Sequence, residues 1–372
     1  MLKRRLINFL KFLGFLSLGI AILYLVYSKQ AAAYLKDCAL KGKTAEECGT
    51  LLQKVLTDFS HANYGWIFMV LLAFTVSNVS RAIRWNMLLK PLGSKPRLIN
   101  SFLTVILGYF ANLGLPRIGE VVRAGALARY ENIPVEKVMG TVVTDRIVDV
   151  ISIFIVTGLA FLLEYDRIWQ LFTDNVDLGA RFGGAGNLLL LLAGVGVFFL
   201  ALLWLLRKRL MRTSLYKKVR DLALGFWQGI KTIRSLDRPW LFLFHSVNIW
   251  LMYYAMTYLC FFAFEPTSYL SPMAGLVVFV FGGWGIVIPS PGGMGTYHWL
   301  AQTALGMYGI SGDDGFSWAN ISFFSIQLGC NISIGLLAYF GLPWINRHYV
   351  PESAGGVRAV KAEEGALTLK NQ

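Results

Sequence analysis

The chain has 372 residues, of which 56% are hydrophobic and only 15% are charged, and its mean hydropathy is +0.55. Soluble domains carry about 25% charged residues, so this composition excludes an ordinary soluble protein and favours a membrane protein. The net charge of +14 does not indicate nucleic acid, because Lys and Arg cluster beside apolar segments, as in proteins oriented by the positive-inside rule.

The first predicted membrane span covers residues 6–27 and follows the basic residues Lys3, Arg4 and Arg5. A basic start and an apolar run are also typical of a cleaved signal peptide, and the alanines at 31–33 would fit a cleavage site. The run is long enough to cross a hydrocarbon core of about 30 Å. We therefore predict a retained first helix.

Later apolar segments complete the predicted bundle. Five are long enough for full spans, in which a helix satisfies its own backbone hydrogen bonds as lipid requires. They are residues 64–89, 138–163, 187–206, 240–264 and 317–342.

Two other apolar stretches, residues 99–115 and 272–289, are shorter and contain Gly, Asn or Pro. Each ends in a Pro/Gly turn, at 115–119 and at 289–295, and a second limb follows. Non-helical backbone at membrane depth is tolerated only where it is buried in protein or lines a wet cavity. We predict two re-entrant helical hairpins.

Span, hairpin and span occur twice, at about 64–163 and 240–342, and the charges predict opposite orientations for the two units. The predicted fold is an all-α polytopic membrane protein with about six full transmembrane helices and two re-entrant hairpins in an inverted-topology repeat. Every basic cluster then lies on the cytoplasmic side with both termini, although eight crossings preserve the same parity. In transporters, such paired broken segments indicate the binding site.

The remaining segments have simpler predictions. We expect one transmembrane domain, 1–347, with an amphipathic cytoplasmic helix at about 215–234 and a disordered cytoplasmic tail, 348–372. Cys260 and Cys330 lie in apolar runs and are predicted to be packing residues. Cys38 and Cys48 share one polar loop and form a disulfide if that loop faces an oxidising compartment, which the sequence leaves open.

The first candidate residues surround the first hairpin. Arg84 lies near the end of the second span, and a snorkelling role would also explain Arg81 and Arg84 taken alone. Asn112 and Arg117 lie near the first hairpin turn, where backbone amides and a guanidinium can hold a phosphate. Glu120 and Arg123 lie three residues apart on the returning limb, and the third predicted span adds Asp145 and Asp149, with Arg146 beside them. Glu120 is predicted to pair with Arg123. Asp145 and Asp149 are predicted to pair with nearby arginines in a salt-bridge network, which leaves a net positive pocket. A structural ion pair is the alternative throughout.

The second turn supplies Pro291, Gly292, Gly293, Gly295 and His298. Successive backbone amides of such glycines can form an anion-binding nest, although a tight turn alone also explains them. His298 titrates near neutral pH in an ordinary environment, but a lone histidine is more often structural. We find no nucleotide-binding, metalloprotease, hydrolase or metal-cluster motif and expect no cofactor, no metal and no enzyme activity.

Four segments, 81–85, 112–123, 145–149 and 291–296, together resemble the flippase-like family built on the lysylphosphatidylglycerol synthase transmembrane region. The order and spacing match over roughly residues 6–342. The resemblance implies an inner-membrane protein that moves lipids or lipid-linked intermediates between leaflets. The synthase's aminoacyl-transfer activity is not carried over, because only a short tail follows the last span. Members often carry Glu at the position of Asp145 and an acid at that of His298, so an acid-dependent role of the second hairpin is not carried over either.

The sequence therefore predicts transbilayer movement of a phosphate-bearing lipid through an arginine-lined cleft between the hairpins. Membrane lipids are the expected partners. Two other functions remain open: an intramembrane enzyme acting on a lipid-linked substrate through Asp145 and Asp149, and a membrane scaffold or regulator that only binds lipid.

Overall fold

The computed structural model describes residues 48–114, 118–175, 236–288 and 293–351, with part of the segment between 17 and 44. Regular structure within these residues is helical, which confirms the all-α prediction. Four helical segments are long and apolar enough to cross a membrane: Tyr64–Leu92, Val135–Leu163, Pro239–Ala263 and Gly312–Ile345. They match four of the six predicted spans. The predicted span 187–206 lies outside the described residues, and 6–27 lies largely outside them.

The helices are numbered in chain order. They are α1 (Leu51–His61), α2 (Tyr64–Leu89), α3 (Leu98–Gly114), α4 (Gly119–Glu131), α5 (Val135–Leu163), α6 (Tyr165–Asn175), α7 (Pro239–Ala263), α8 (Pro272–Val287), α9 (Thr296–Gly306), α10 (Gly312–Phe323) and α11 (Asn331–Ile345). A π-helical turn, Phe324–Cys330, joins α10 to α11.

Large apolar side chains cover the outside of the spanning helices. Phe154, Ile155 and Leu159 on α5 are exposed, as are Phe244 and Leu251 on α7. Exposed apolar surface of this extent is unfavourable in water and is normal for helices that face lipid. The exposed face therefore agrees with a membrane protein.

Helices α2 and α7 pack antiparallel along each other. Asn63, which caps α2 by accepting the Gly65 N–H, donates its own backbone N–H to the Ala263 carbonyl at 2.9 Å. Arg84, near the other end of α2, donates to Ser246 Oγ at 3.4 Å, early in α7. We refer to the end where α2 finishes and α7 begins as the inner end, after its predicted orientation, and to the opposite end as the outer end.

The first hairpin consists of α3 and α4 and starts from the inner end, directly after α2. Its limbs touch where Gly108 meets Gly119, since a Cβ on Gly108 would lie 2.9 Å from the Gly119 carbonyl oxygen. Asn112 Oδ1 accepts the Gly119 N–H at 2.7 Å and so satisfies an amide at the start of α4. At the base, Asn100 Nδ2 donates to Glu131 Oε1 at 2.6 Å. The hairpin is thus closed at both its tip and its base.

The second hairpin consists of α8 and α9 and starts from the outer end, after α7. Ser271 caps α8 by accepting the Ala274 N–H at 3.2 Å. The limbs again touch through a glycine, because a Cβ on Gly285 would lie 2.7 Å from Tyr297 Cα. Gly293 and Gly295 have φ of +85° and +83°, a region that favours glycine. Both limbs of the predicted hairpin are confirmed.

Each hairpin packs its first limb against the last span of the other repeat. Gly335 in α11 lies against the side chain of Phe110 in α3, since a Cβ on Gly335 would lie 2.7 Å from Phe110 Cβ. In the matching contact, Trp284 Nε1 in α8 donates to Thr157 Oγ1 in α5 at 3.0 Å. Because the hairpins also start from opposite ends, the described residues form an inverted-topology repeat.

A polar anchor and a disulfide lie at the outer end. Cys38 and Cys48 form the disulfide that the sequence left open. Thr50 and Gln53 form a capping box at the start of α1. Further along α1, Lys54 Nζ contacts Asp58 at 2.9 Å and, in α10, Asp314 at 2.7 Å. α1 is thereby held against the start of the last span.

The chain divides into two units, one comprising residues 1–160 and 238–372 and the other residues 161–237. In the second unit, α6 is described, and its Tyr165 and Trp169 rings stack at 5.9 Å. The predicted amphipathic helix 215–234 lies outside the described residues, as does the tail after 351. The single-domain boundary 1–347 stays a prediction.

Candidate functional site

Five charged residues from three helices meet inside the bundle. Arg81 and Arg84 lie one turn apart on α2, Arg123 lies on α4, and Asp145 and Asp149 lie one turn apart on α5. Spacings of three and four residues place each pair on one helix face. We call these five residues the ion cluster.

Asp145 is the centre of the ion cluster and is 0% exposed. Arg81 Nη1 donates to its Oδ2 at 3.0 Å, and Arg123 Nη2 donates to the same oxygen at 3.0 Å. Arg84 donates to Oδ1 through Nε at 3.0 Å and Nη2 at 2.6 Å. One carboxylate therefore holds guanidinium groups from α2 and α4 against α5.

Asp149 joins the same two α2 arginines one turn further along α5. Its carboxylate accepts from Arg81 Nη1 and from Arg84 Nη2, each at 2.7 Å. Arg146 Nη1 lies 3.4 Å from Asp149 on the more exposed side. The sequence predicted that the acidic pair would counter Arg84, Arg117 or Arg123. The contacts with Arg84 and Arg123 are confirmed, and Arg117 lies outside the described residues.

Neutral side chains from α7 and α3 add further contacts around the α2 arginines. Arg81 Nη2 donates to Tyr253 Oη at 3.1 Å, and Arg84 reaches Ser246, as described above. Tyr253 Oη in turn lies 3.2 Å from Tyr109 Oη of α3. Sequence reasoning missed Tyr253, Tyr109 and Ser246, since single hydroxyls in apolar runs carry no motif.

Arg123 is held differently from the α2 arginines. Its guanidinium lies 4.0 Å from the centre of the Trp85 ring, a cation–π contact, and Trp85 Nε1 donates to Thr141 Oγ1 at 2.9 Å. Nη2 contacts Asp145, but Nε and Nη1 are buried without a hydrogen-bond partner among the described residues. Unmatched donors on a buried cation are costly and mark a place where an acceptor is favoured.

Glu120 does not pair with Arg123, so that prediction is wrong. Glu120 Oε1 instead lies 3.4 Å from Arg146 Nε, at the partly exposed edge of the ion cluster. The three-residue spacing puts Glu120 and Arg123 near one another on α4, but Arg123 turns inward to Asp145. Burial of the Asp145 carboxylate favours the inward contact, because a buried charge needs partners of opposite sign.

Snorkelling was the alternative role for Arg84 and for Arg81, and for Arg81 that interpretation is wrong. It is 1% exposed and contacts both aspartates. Arg84 is likewise buried, at 0% exposure. With a rise of 1.5 Å per residue, Arg84 lies about 8 Å inside the inner end of α2. Arg81, Arg84 and Arg123 therefore form a closed cluster around Asp145.

The remaining candidate residues lie at the hairpin turns. Arg117 lies outside the described residues, as do Pro291 and Gly292. Asn112 Oδ1 accepts a hydrogen bond from the Gly119 N–H at the start of α4. In the second turn, Gly295 donates its N–H to His298 Nδ1 at 3.3 Å, and the His298 ring is buried 4.8 Å from the Phe323 ring. The structure brings no residue of the second turn into the ion cluster among those it describes.

Charge counting gives the ion cluster and its edge an excess of one positive charge. Four guanidinium groups, of Arg81, Arg84, Arg123 and Arg146, face three carboxylates, of Glu120, Asp145 and Asp149. A buried ionic cluster contributes little net stability, because desolvation offsets the Coulombic attraction. Charge at membrane depth is therefore a candidate functional site by default.

These features define a polytopic all-α membrane protein with two inverted hairpin repeats and a buried cluster of charges. Residues 48–328 match the family described as the lysylphosphatidylglycerol synthase TM region. Since the match covers more than half of the chain, the chain belongs to this family, which confirms the resemblance seen in the sequence.

One relative is a UPF0104 membrane protein of Methanocaldococcus jannaschii, which is 31% identical over 127 residues. The alignment covers 31% of this chain and 38% of that protein, well under two thirds of the relative's length. No solved structure matches the chain.

Proposed function

We propose that the chain moves a phosphate-bearing lipid, either a phospholipid or a lipid-linked intermediate, between the leaflets of the inner membrane. The ion cluster would be its headgroup site. The observation that carries this function is the buried excess of positive charge, with two donors of Arg123 unmatched among the described residues. An anionic phosphate is the ligand that such a set of guanidinium groups favours.

Exposure within the cluster rises in one direction, which gives the headgroup a route. Asp145 is 0% exposed, whereas the side chains of Asp149 and Arg146 are 13% and 36% exposed. Glu120, beside Arg146, is 27% exposed. A headgroup would therefore approach past Glu120 and Arg146 and meet Asp149 before Asp145.

A phosphate can take the place of Asp149 without changing the chemistry of its partners. Asp149 presents two oxygens to Arg81 and Arg84 at 2.7 Å, and phosphate oxygens suit the same guanidinium forks. Asp145 would stay in place and keep both arginines and Arg123 oriented. The headgroup would thus exchange with one carboxylate while acyl chains remain in lipid.

The described state is the closed one in this mechanism, because α2, α4, α5 and α7 are held together around the cluster. Release of Asp149 would loosen α5 from α2 on the side of Glu120 and Arg146, from which the headgroup approaches. The inverted repeat supports alternating access, since repeats of this kind rock against each other around a site between them. No ATP-binding motif is present in the sequence, so the movement would follow a lipid gradient or another coupled gradient.

The same geometry does not favour the enzyme hypothesis. Asp145 and Asp149 each accept hydrogen bonds from at least two arginines. A general base needs a free lone pair directed at a substrate proton. We expect these aspartates to hold arginines in position rather than to transfer protons.

The test is translocation of labelled phospholipids in liposomes, with anionic and zwitterionic headgroups compared. Arg123→Gln keeps Asp145 paired with two arginines but removes the excess charge. We expect the rate of movement of the anionic lipid to fall tenfold or more, because about one charge-assisted contact is lost. The rate for the zwitterionic lipid should fall less. Arg167→Gln is the matched control, because Arg167 is an exposed arginine paired with Glu164 outside the cluster.

Two outcomes contradict the proposed function. Wild-type protein that moves no lipid faster than protein-free liposomes would exclude translocation. If Arg123→Gln folds and moves both lipids at the wild-type rate, the cluster is a structural lock and the scaffold hypothesis is favoured.

A further inference from the structure

A pocket of about 440 Å³ lies at the outer end, away from the ion cluster. It lies between the N-terminal helical segment and the connection from α9 to α10. The lining includes Leu25, Lys29, Gln30, Trp299, Gln302 and Gly306.

Gln302, which lines the pocket, carries an unmatched acceptor. Gln302 is 8% exposed, and its Nε2 donates to the Gly312 carbonyl at 2.9 Å. Its Oε1 is buried without a hydrogen-bond partner among the described residues. Gln30, also in the lining, lies beside Gly312, since a Cβ on Gly312 would lie 2.7 Å from Gln30 Oε1. Buried acceptors of this kind are normally satisfied, so a ligand with a hydroxyl or amine donor fits here.

The mouth of the pocket combines a cation with apolar surface. Lys29 is exposed there and supplies an ammonium group. Leu25 and Trp299 are 65% and 55% exposed beside it. Tryptophan at the end of a membrane bundle is typical of the interface between headgroups and acyl chains. The pocket therefore offers a contact for an anion, one for a hydrogen-bond donor and one for a hydrocarbon chain.

We infer that this pocket binds a phospholipid of the outer leaflet whose headgroup carries a hydroxyl or amine beside its phosphate. Lys29 contacts the phosphate, Gln302 Oε1 accepts from the headgroup donor, and the acyl chains lie against Leu25 and Trp299. The site is separate from the ion cluster, so a lipid bound here occupies the end opposite to the headgroup site proposed above.

The experiment titrates the full chain in nonionic detergent with dihexanoylphosphatidylglycerol, dihexanoylphosphatidylcholine and inorganic phosphate, and measures the unfolding temperature. A ligand that binds only the folded protein raises this temperature with concentration. We expect saturable binding of the glycerol lipid, about fivefold tighter than the choline lipid, which lacks a donor. Inorganic phosphate is expected to bind far more weakly, because it makes no apolar contact.

Variants assign the binding to the pocket. A Cβ on Gly306 would meet nothing within 4 Å, so the protein can accommodate Gly306→Leu. The leucine side chain would fill part of the pocket and should abolish binding. Gly158→Leu is the matched control, with equally open surroundings on α5. Lys29→Gln should weaken both lipids by about tenfold. Gln302→Met should remove the preference for glycerol over choline.

Retention of wild-type affinity by both Gly306→Leu and Lys29→Gln would overturn the site. Equal affinity for inorganic phosphate and the glycerol lipid would assign the pocket to a free anion instead. Either result leaves the liposome assay of Arg123→Gln unaffected, so the two sites are tested separately.

Discussion

The two hairpins share a backbone design and differ in chemistry. In both, a glycine on one limb contacts the backbone of the other, at Gly108 with Gly119 and at Gly285 with Tyr297. The first hairpin adds Arg123, which enters the ion cluster. The second places His298 among aromatic rings near the start of its returning limb. The comparison indicates that the repeat supplies the architecture twice, whereas the buried charge belongs to the first repeat.

The largest expected effect comes from the centre of the ion cluster. Asp145→Asn leaves three buried guanidinium groups with Asp149 as their main counter-charge and should lower the free energy of unfolding by about 3–5 kcal/mol. Thermal unfolding in detergent measures this. Glu120→Gln, at the exposed edge, is the control and should cost about 0–1 kcal/mol. Equal losses in the two variants would mean that the cluster is not the electrostatic centre of the first repeat.

The glycine contacts should be of similar strength in both hairpins. Gly119→Ala and Gly285→Ala each force a methyl group against backbone and should cost about 1–3 kcal/mol. Gly125→Ala on α4 and Gly283→Ala on α8 are matched controls, because their added Cβ atoms meet nothing within 4 Å. These controls should be neutral or stabilising by up to about 1 kcal/mol, from helix propensity. A large cost in only one hairpin would show that the repeats are not built alike.

His298 tests whether the second hairpin takes part in headgroup selection. His298→Leu removes the acceptor for the Gly295 N–H at the start of α9 and should cost about 1 kcal/mol. The ratio of anionic to zwitterionic lipid movement in liposomes should stay at the wild-type value, in contrast to Arg123→Gln. A shift of that ratio would mean that both hairpins take part in selecting the lipid headgroup, and the proposed difference between them would be wrong.

The smallest effect concerns the anchor of α1 at the outer end. Burial lowers the pKa of Lys54, but hydrogen bonds and charges from Asp314 and Asp58 outweigh it, so the pKa is raised above its ordinary value of 10.5. Because the pKa is higher in the folded than in the unfolded protein, the pairing stabilises fully below about pH 10.5 and is lost as pH rises through the folded value. Lys54→Met should cost about 0.5 kcal/mol at pH 8.

The measurement for Lys54 is the unfolding temperature of both proteins from about pH 8 to about pH 11, on either side of the ordinary lysine pKa. The wild-type curve should fall toward that of Lys54→Met only at the upper end of this range. A constant difference across the whole range would indicate that the lysine stem, rather than its charge, holds α1.

Within the part of the chain that the structure describes, the sequence by itself determined the spans and the hairpins. The second span was predicted at 64–89 and is observed at Tyr64–Leu89, and the short segments 99–115 and 272–289 are observed at Leu98–Gly114 and Pro272–Val287. These elements can be predicted because each helix in lipid must satisfy its own backbone hydrogen bonds. The length, apolarity and helix-breaking residues of each segment therefore decide whether it spans the membrane or forms a hairpin.

Only the tertiary structure decided which charges meet. Arg81 contacts Asp145 and Asp149 across 64 and 68 positions of sequence, and its third partner, Tyr253, lies 172 positions away. Which face of α2 turns toward α5 and α7 depends on how whole helices pack, and no local pattern records that rotation. For the same reason the sequence placed Glu120 beside Arg123, whereas packing directed Arg123 to the buried carboxylate of Asp145.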